Sequence, residues 1–226
     1  MEDKRKDTDR RLLIATFGPP GSGKSTICHA LTQLLNVESM SPGLELRKMV
    51  ASGGRIGREA EQLISTGASV PDTMLRSMLT NHGLGALVLD GVPQTVDQVH
   101  LLAEYAMDRA YDMVGVHLLL SESMSMRRIA SRLSCKRCGQ PTEDLQPNCM
   151  CGEPLVRRRD DELVSVFTAR LRRYKTDVRS AAEEFARLFP YREFDATLSS
   201  KRLAERIVAW LRYLGYMKLS GLSRST

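Results

Sequence analysis

Leu12-Leu-Ile-Ala-Thr-Phe17-Gly18-Pro-Pro-Gly21-Ser22-Gly23-Lys24-Ser25-Thr26 is the stretch on which the fold turns. Its first half is a short apolar run of the kind a buried strand makes. Its second half fits G-x-x-x-x-G-K-[ST] with nothing missing, and helical periodicity follows over 25–35. Strand, glycine-rich loop and helix in that order build a phosphate cradle. Glycines let successive backbone N–H groups turn inward on an anion, and the helix N-terminus adds a favourable dipole. Lys24 is placed to reach the outer phosphates of a nucleotide, and the Ser25 hydroxyl to approach Mg²⁺. The plain alternative is a glycine-rich turn with a chance lysine, and nine matching residues in the right context outweigh it. Cys28 and His29 on the following helix read as packing and surface residues.

Outward from this loop the same alternation repeats. Ala86–Leu89, Met113–Leu120 and the weaker Tyr191–Phe194 read as strands, with helical stretches at about 95–110 and 199–213. In the last of these, Leu203, Ile207, Trp210, Leu211 and Leu214 share one face. Short apolar strands alternating with helices predict an α/β fold with a parallel sheet. Asp90 closes the second strand, where a parallel sheet brings it beside the phosphate loop and lets it hold Mg²⁺ through water. A turn or helix cap is its alternative role. Residues 41–71 form a helical excursion rich in Gly and Ser. Residues 133–160 are polar and rich in Cys, Gly and Pro. Both read as inserts.

Composition narrows the classes. The 226 residues are 42% hydrophobic and 27% charged, a globular balance. No apolar run approaches the roughly 18 residues that span a bilayer. The opening segment has four acidic residues in its first nine and no apolar core, which argues against a secretory or transit signal and predicts a cytoplasmic protein. The net charge of +6 is compatible with nucleic acid, a membrane surface or a phosphate-rich ligand. Residues 127–179 hold 13 basic and 7 acidic residues, so the whole excess lies there and the rest of the chain balances. No basic stripe with interleaved aromatics accompanies it, which disfavours nucleic acid.

Four of the five cysteines fall in one cluster, Cys135-Lys-Arg-Cys138-Gly and Cys149-Met-Cys151-Gly, with ten residues between the pairs. Two short pairs, each followed by Gly, suit tetrahedral Zn²⁺ held by four thiolates with no open position. Such a site is structural, and in a small insert it would supply folding free energy. The second pair is C-x-C where C-x₂-C is commoner. Two disulfides or unliganded thiols are the alternatives.

Taken together, these pieces resemble the adenylate kinases, within the nucleoside monophosphate kinases, in the long form with a metal-binding lid. The matching segments come in the family's order. They are 18–26, Ser41-Pro-Gly-Leu-Glu-Leu-Arg47, Gly67-Ala-Ser-Val70-Pro-Asp72, and Asp90-Gly91-Val-Pro-Gln94 with Gln98. Arg128-Ile-Ala-Ser-Arg132, the cysteine cluster, Arg159-Asp-Asp161 and Arg170 follow. The resemblance implies a P-loop kinase fold, a five-stranded parallel sheet wrapped by helices. Its core would be 11–40, 72–131 and 163–216, with an acceptor-binding insert at 41–71 and a zinc-ribbon lid at 132–162. Residues 1–10 and 217–226 would be tails. It implies reversible phosphoryl transfer from ATP to a nucleoside monophosphate, most simply AMP giving two ADP, by a monomer using Mg²⁺ and a structural Zn²⁺.

Residue by residue, the resemblance makes Lys24, Arg132, Arg159 and Arg170 catalytic. It gives ATP to Gly18, Gly21, Ser22, Gly23, Lys24, Ser25, Thr26, Arg128 and Arg132, with Arg128 stacking on the base. It gives the acceptor to Ser41, Arg47, Val70, Gly91, Gln94, Gln98, Arg159 and Arg170, with Gln98 reading its base. Ser25 and Asp90 serve Mg²⁺. Arginines suit this chemistry because planar guanidinium groups donate bidentately to phosphate oxygens. Three positions depart from the family pattern: Gln94 stands where an arginine binds the acceptor phosphate, Pro42 where threonine is usual, and Leu44 where aspartate is usual. Three changes in one subsite imply an altered acceptor preference or reduced activity. The competing function is a catalytically impaired ATP-binding protein that regulates or scaffolds a partner.

Overall fold

The computed structural model describes residues 11–83, 85–135, 149, 152–157 and 164–216. The tails expected at 1–10 and 217–226 and most of the expected lid lie outside these residues.

Five strands form one parallel sheet: β1 (Arg11–Phe17), β2 (Glu38–Met40), β3 (Leu87–Leu89), β4 (Tyr111–Leu119) and β7 (Tyr191–Asp195), in the order β2-β3-β1-β4-β7. A separate antiparallel ribbon pairs β5 (Ser134–Cys135) with β6 (Leu155–Val156). The helices of the first half are α1 (Lys24–Leu35), α2 (Pro42–Ser52), α3 (Gly54–Thr66), α4 (Asp72–Thr80) and α5 (Val96–Asp108). Those of the second half are α6 (Glu122–Ser131), α7 (Val164–Arg173), α8 (Arg179–Leu188) and α9 (Ser200–Tyr213). A single π-helical turn, Tyr174–Val178, joins α7 to α8.

Side-chain alternation along the strands sorts the core into two layers. Leu13, Ala15 and Phe17 face one cluster with Leu87, Leu89, Met113 and Phe185. Leu12 and Ile14 face the other, with Val88, Val114, Val116, Ile27 and Leu211. Where the sheet is covered on both faces most positions are apolar, which is why β1, β3 and β4 read as near-continuous apolar runs. The predicted closing helix is α9, with Leu203, Ile207, Trp210 and Leu211 buried. β2 carried no such signal. It is a three-residue edge strand with Glu38 and Ser39 exposed and only Met40 buried.

The excursion at 41–71 is two helices. Gly53 and Gly54, with φ of +75° and +74°, break it where a side chain would be strained. The topology then places the site. β1 leads outward through α1 to β2, whereas β3 leads across β1 to β4. A crevice opens at the carboxyl ends of β1 and β3, where connections diverge in open α/β sheets.

Candidate active site

The loop after β1 folds back tightly. Gly18 has φ +146°, and a Cβ there would lie 2.6 Å from Ser22 Oγ and 2.8 Å from the Leu118 carbonyl. Gly23 precedes α1 without a side-chain cap, so the first-turn N–H groups remain for an anion. Lys24 Nζ donates to the carbonyls of Gly18 at 2.7 Å and Pro19 at 2.8 Å. Burial pushes the Lys24 ammonium down to about 8, against the opposing pull of Asp90 and with Arg132 and Arg170 adding to the depression. Three cations from three parts of the chain therefore act on one point.

Thr16, fully buried near the end of β1, stitches the strand ends together. Its hydroxyl donates to the Leu89 carbonyl at 2.8 Å and accepts from Gly91 N–H at 3.0 Å. Asp90 is thereby held beside the loop. Ser25 Oγ donates to Asp90 Oδ2 at 2.6 Å, and Ser41 Oγ to the same oxygen at 2.9 Å. A hydroxyl and a carboxylate at this distance suit a hydrated magnesium ion. A threonine inside an otherwise apolar strand was the sequence signal for the Thr16 role.

One cavity of about 800 Å³ joins these groups. Gly18, Gly21, Ser22, Gly23, Lys24, Ser25 and Thr26 form part of its wall, as do Asp90 and Gly91. Arg128 and Arg132 line it at the end of α6, where Arg128 Nη2 donates to the Ala196 carbonyl at 2.8 Å. Ser41, Arg47, Val70, Gln94 and Arg170 line it on the side of α2 and α3. Residues from Gly18 to Arg170, far apart in the chain, thus meet around one space. Arg173 and Tyr174 also line it, unforeseen from sequence. The signal for Arg173 was its spacing, since residues three apart share a helix face with Arg170.

Gln98 sits differently. It is 2% exposed, and it does not line the cavity. Its Oε1 accepts from Gln94 N–H at 2.9 Å, and its Nε2 donates to the Val70 carbonyl at 2.8 Å. The Gln94 amide is likewise engaged. It accepts from Ser69 Oγ at 3.0 Å and donates to the Gly91 carbonyl at 3.1 Å. Pro42 opens α2 at the first helical position and is buried, and Leu44 is half-buried. Arg159 lies outside the described residues.

Of the cysteine cluster, Cys135 is buried on β5 and Cys149 is half-buried. Cys138 and Cys151 lie outside the described residues. Gly152 N–H donates to the Cys149 carbonyl at 2.8 Å, and Cys149 N–H to the Glu153 carbonyl at 2.9 Å. Cys149 and Gly152 are thereby hydrogen-bonded to each other, and Gly152, at φ +85°, precedes β6, which pairs with the strand of Cys135. Among the described residues no three potential metal ligands come together. No described helix is long and apolar enough to cross a membrane.

The comparisons agree with the geometry. The adenylate kinase family model matches residues 16–188. The adenylate kinase of Pyrococcus furiosus is 29% identical over 212 residues, covering 89% of this chain and 96% of that protein. The adenylate kinase of Petrotoga mobilis is 31% identical over 186 residues, covering 77% of this chain and 85% of that protein. That of Chlamydia pneumoniae is 31% identical over 171 residues, covering 72% and 80%. With the phosphate loop, the five-stranded sheet and the ordered motifs in place, the chain belongs to the adenylate kinase family.

Proposed function

We propose that the protein transfers a phosphoryl group reversibly between ATP and a nucleoside monophosphate, with AMP the acceptor that gives two ADP. The observation that carries this is the convergence of Lys24, Arg132 and Arg170 on one desolvated point at the phosphate loop. Asp90 offsets part of this positive charge, and an anion on the loop would offset more. Phosphoryl transfer supplies that anion, and it needs positioning and charge neutralisation rather than a covalent intermediate.

ATP enters with its phosphates on the loop 18–26 and its base beside Arg128. The acceptor phosphate meets Arg47, Arg170 and, from the lid, Arg159. Mg²⁺, when bound, supplies charge neutralisation to the ATP phosphates, and Ser25 and Asp90 would hold it through water. Lys24 remains protonated at neutral pH, because its pKa of about 8 still lies above it. Gln98 shapes the acceptor subsite through Gln94 and Val70 rather than by direct exposure. Zn²⁺ on Cys135, Cys138, Cys149 and Cys151 would brace the lid. The hydrogen bonds that tie Cys149 to Gly152 and Glu153, next to the ribbon that carries Cys135, support this reading. The enzyme is read as a cytoplasmic monomer.

A coupled assay of ATP with AMP, GMP, CMP and UMP tests this, with ADP formation from AMP expected. One observation favours a second function, an ATP-binding regulator: the uncharged Gln94, where the resemblance expects an arginine. ATP binding with no phosphorylation of any monophosphate would decide for it.

A further inference from the structure

Gln94 leaves the acceptor side of the cavity one guanidinium short of the family pattern, and its amide is turned to structural use. It accepts from Ser69 and donates to Gly91. It therefore has one donor N–H left for a phosphate, and no charge. The same wall carries a cation that no motif claims. Arg173 lines the cavity with Arg47, Gln94 and Arg170.

Its placement is not that of an ordinary solvated arginine. Arg173 is half-buried on the last turn of α7, three residues after Arg170, so both guanidinium groups leave one helix face. Among the described residues its side chain makes no hydrogen bond or ion pair, and Asp177 is the carboxylate that acts on it. Burial and the like charge of Arg170 both press on it. A half-buried guanidinium on the cavity wall beside the like charge of Arg170 is a place where an incoming dianion is favourable.

The backbone beneath it is anchored. Tyr174 begins the π-helical turn, a feature frequent at functional sites. Its hydroxyl meets His117 Nε2 at 2.9 Å, and His117 Nδ1 meets the Tyr191 hydroxyl. The end of α7 is thereby pinned to β4 and β7 of the central sheet. On the other side α7 abuts the acceptor insert, where a Cβ on Gly67 would lie 3.0 Å from Arg170 Cγ.

We propose that Arg173 binds the phosphate of the acceptor monophosphate beside Arg170, supplying from α7 the charge that position 94 lacks. This rests on the phosphoryl-transfer function proposed above and names a residue of its acceptor subsite.

The test measures AMP, GMP, CMP and UMP binding by calorimetry, without ATP, alongside steady-state kinetics. Arg173→Gln is expected to weaken AMP binding by about tenfold or more, as loss of a charge-assisted contact does, and to leave ATP binding within about twofold. Arg173→Lys should fall between, keeping the charge but losing the fork. Gln94→Arg added to Arg173→Gln should recover most of the lost AMP affinity. Thermal melts check that each variant folds, and Arg173→Met is a second neutral variant should Arg173→Gln melt early. AMP binding unchanged in both neutral variants, or ATP weakened as much as AMP, overturns the proposal. So does a parent protein that binds none of the four monophosphates. A parent that binds AMP through Arg173 but transfers nothing overturns the enzymatic function alone.

Discussion

Ser69 Oγ donates to Gln94 Oε1 at 3.0 Å, joining the linker after α3 to the loop after β3. Because the amide nitrogen also donates to the Gly91 carbonyl, Gln94 acts as a strut between the acceptor insert and the core. Placing an arginine here exchanges a strut for a charge. Gln94→Arg loses the acceptor that Ser69 uses, at a cost of about 1 kcal/mol in unfolding free energy. With Arg173 already supplying a guanidinium, kcat/KM with AMP should rise by less than about threefold. Denaturant titration and kinetics check both, and a gain of an order of magnitude would mean that the parent subsite lacks its cation.

Lys24 is the buried cation of the phosphate loop. Lys24→Ala is expected to reduce turnover by about a thousandfold or more, since it removes the charge on the transferring group. The acidity of Lys24 also sets a pH limit. Burial lowers it to about 8, so the free enzyme loses this charge as pH rises through that value. The kcat/KM for ATP should therefore fall on the alkaline side with an apparent pKa near 8, because that ratio reports the free enzyme. A profile flat to pH 9.5 would separate Lys24 from phosphate binding.

His117 predicts a different pH effect, on stability. Burial pushes its imidazole from 6.5 down to about 4, with the charges of Lys24 and Arg179 adding to the shift. Glu193 Oε1 lies 3.8 Å from Nδ1 but is half exposed, and burial prevails. A lowered folded-state pKa means that the unfolded chain takes up the proton first as pH falls. The stabilising contribution is thus present above pH 6.5 and is lost towards pH 4, by up to about 3 kcal/mol. The melting temperature should drop across that window, and His117→Gln should flatten the slope while lowering stability at pH 7. Equal slopes in parent and variant would remove His117 from the account.

The cysteines yield a measurement independent of catalysis. Zinc bound by four thiolates should appear at about one ion per chain in metal analysis of the purified protein. Cys138→Ser should lower that content and make residues 132–162 more open to protease, while the core sheet keeps its melting transition. A parent protein without zinc would reassign Cys135 and Cys149 to packing.

The strands at 12–17, 86–89 and 113–120 were legible because a sheet buried on both faces permits little but apolar residues, whereas the edge strand at 191–194, with Arg192 and Glu193 exposed, gave a weaker signal. The phosphate loop was legible because its glycines and lysine are chemical necessities at fixed spacing. β2 was not, since a short edge strand needs only one buried side chain, Met40. The sequence expectation that Gln98 reads the acceptor base did not include its place as a buried brace, because which way an amide turns depends on neighbours far along the chain, here Val70. The His117 cluster was illegible for the same reason, and the spacing of Arg173 from Arg170 could show a shared helix face but not a shared cavity.

The order of elements, the anion-binding loop and the site of the excess charge are thus properties of the sequence, set by local spacing and residue chemistry. Tertiary structure alone decided which cations share the cavity and how far burial depresses Lys24. It also decided that Gln94 is spent on Ser69, because each of these depends on distances between segments that only packing brings together.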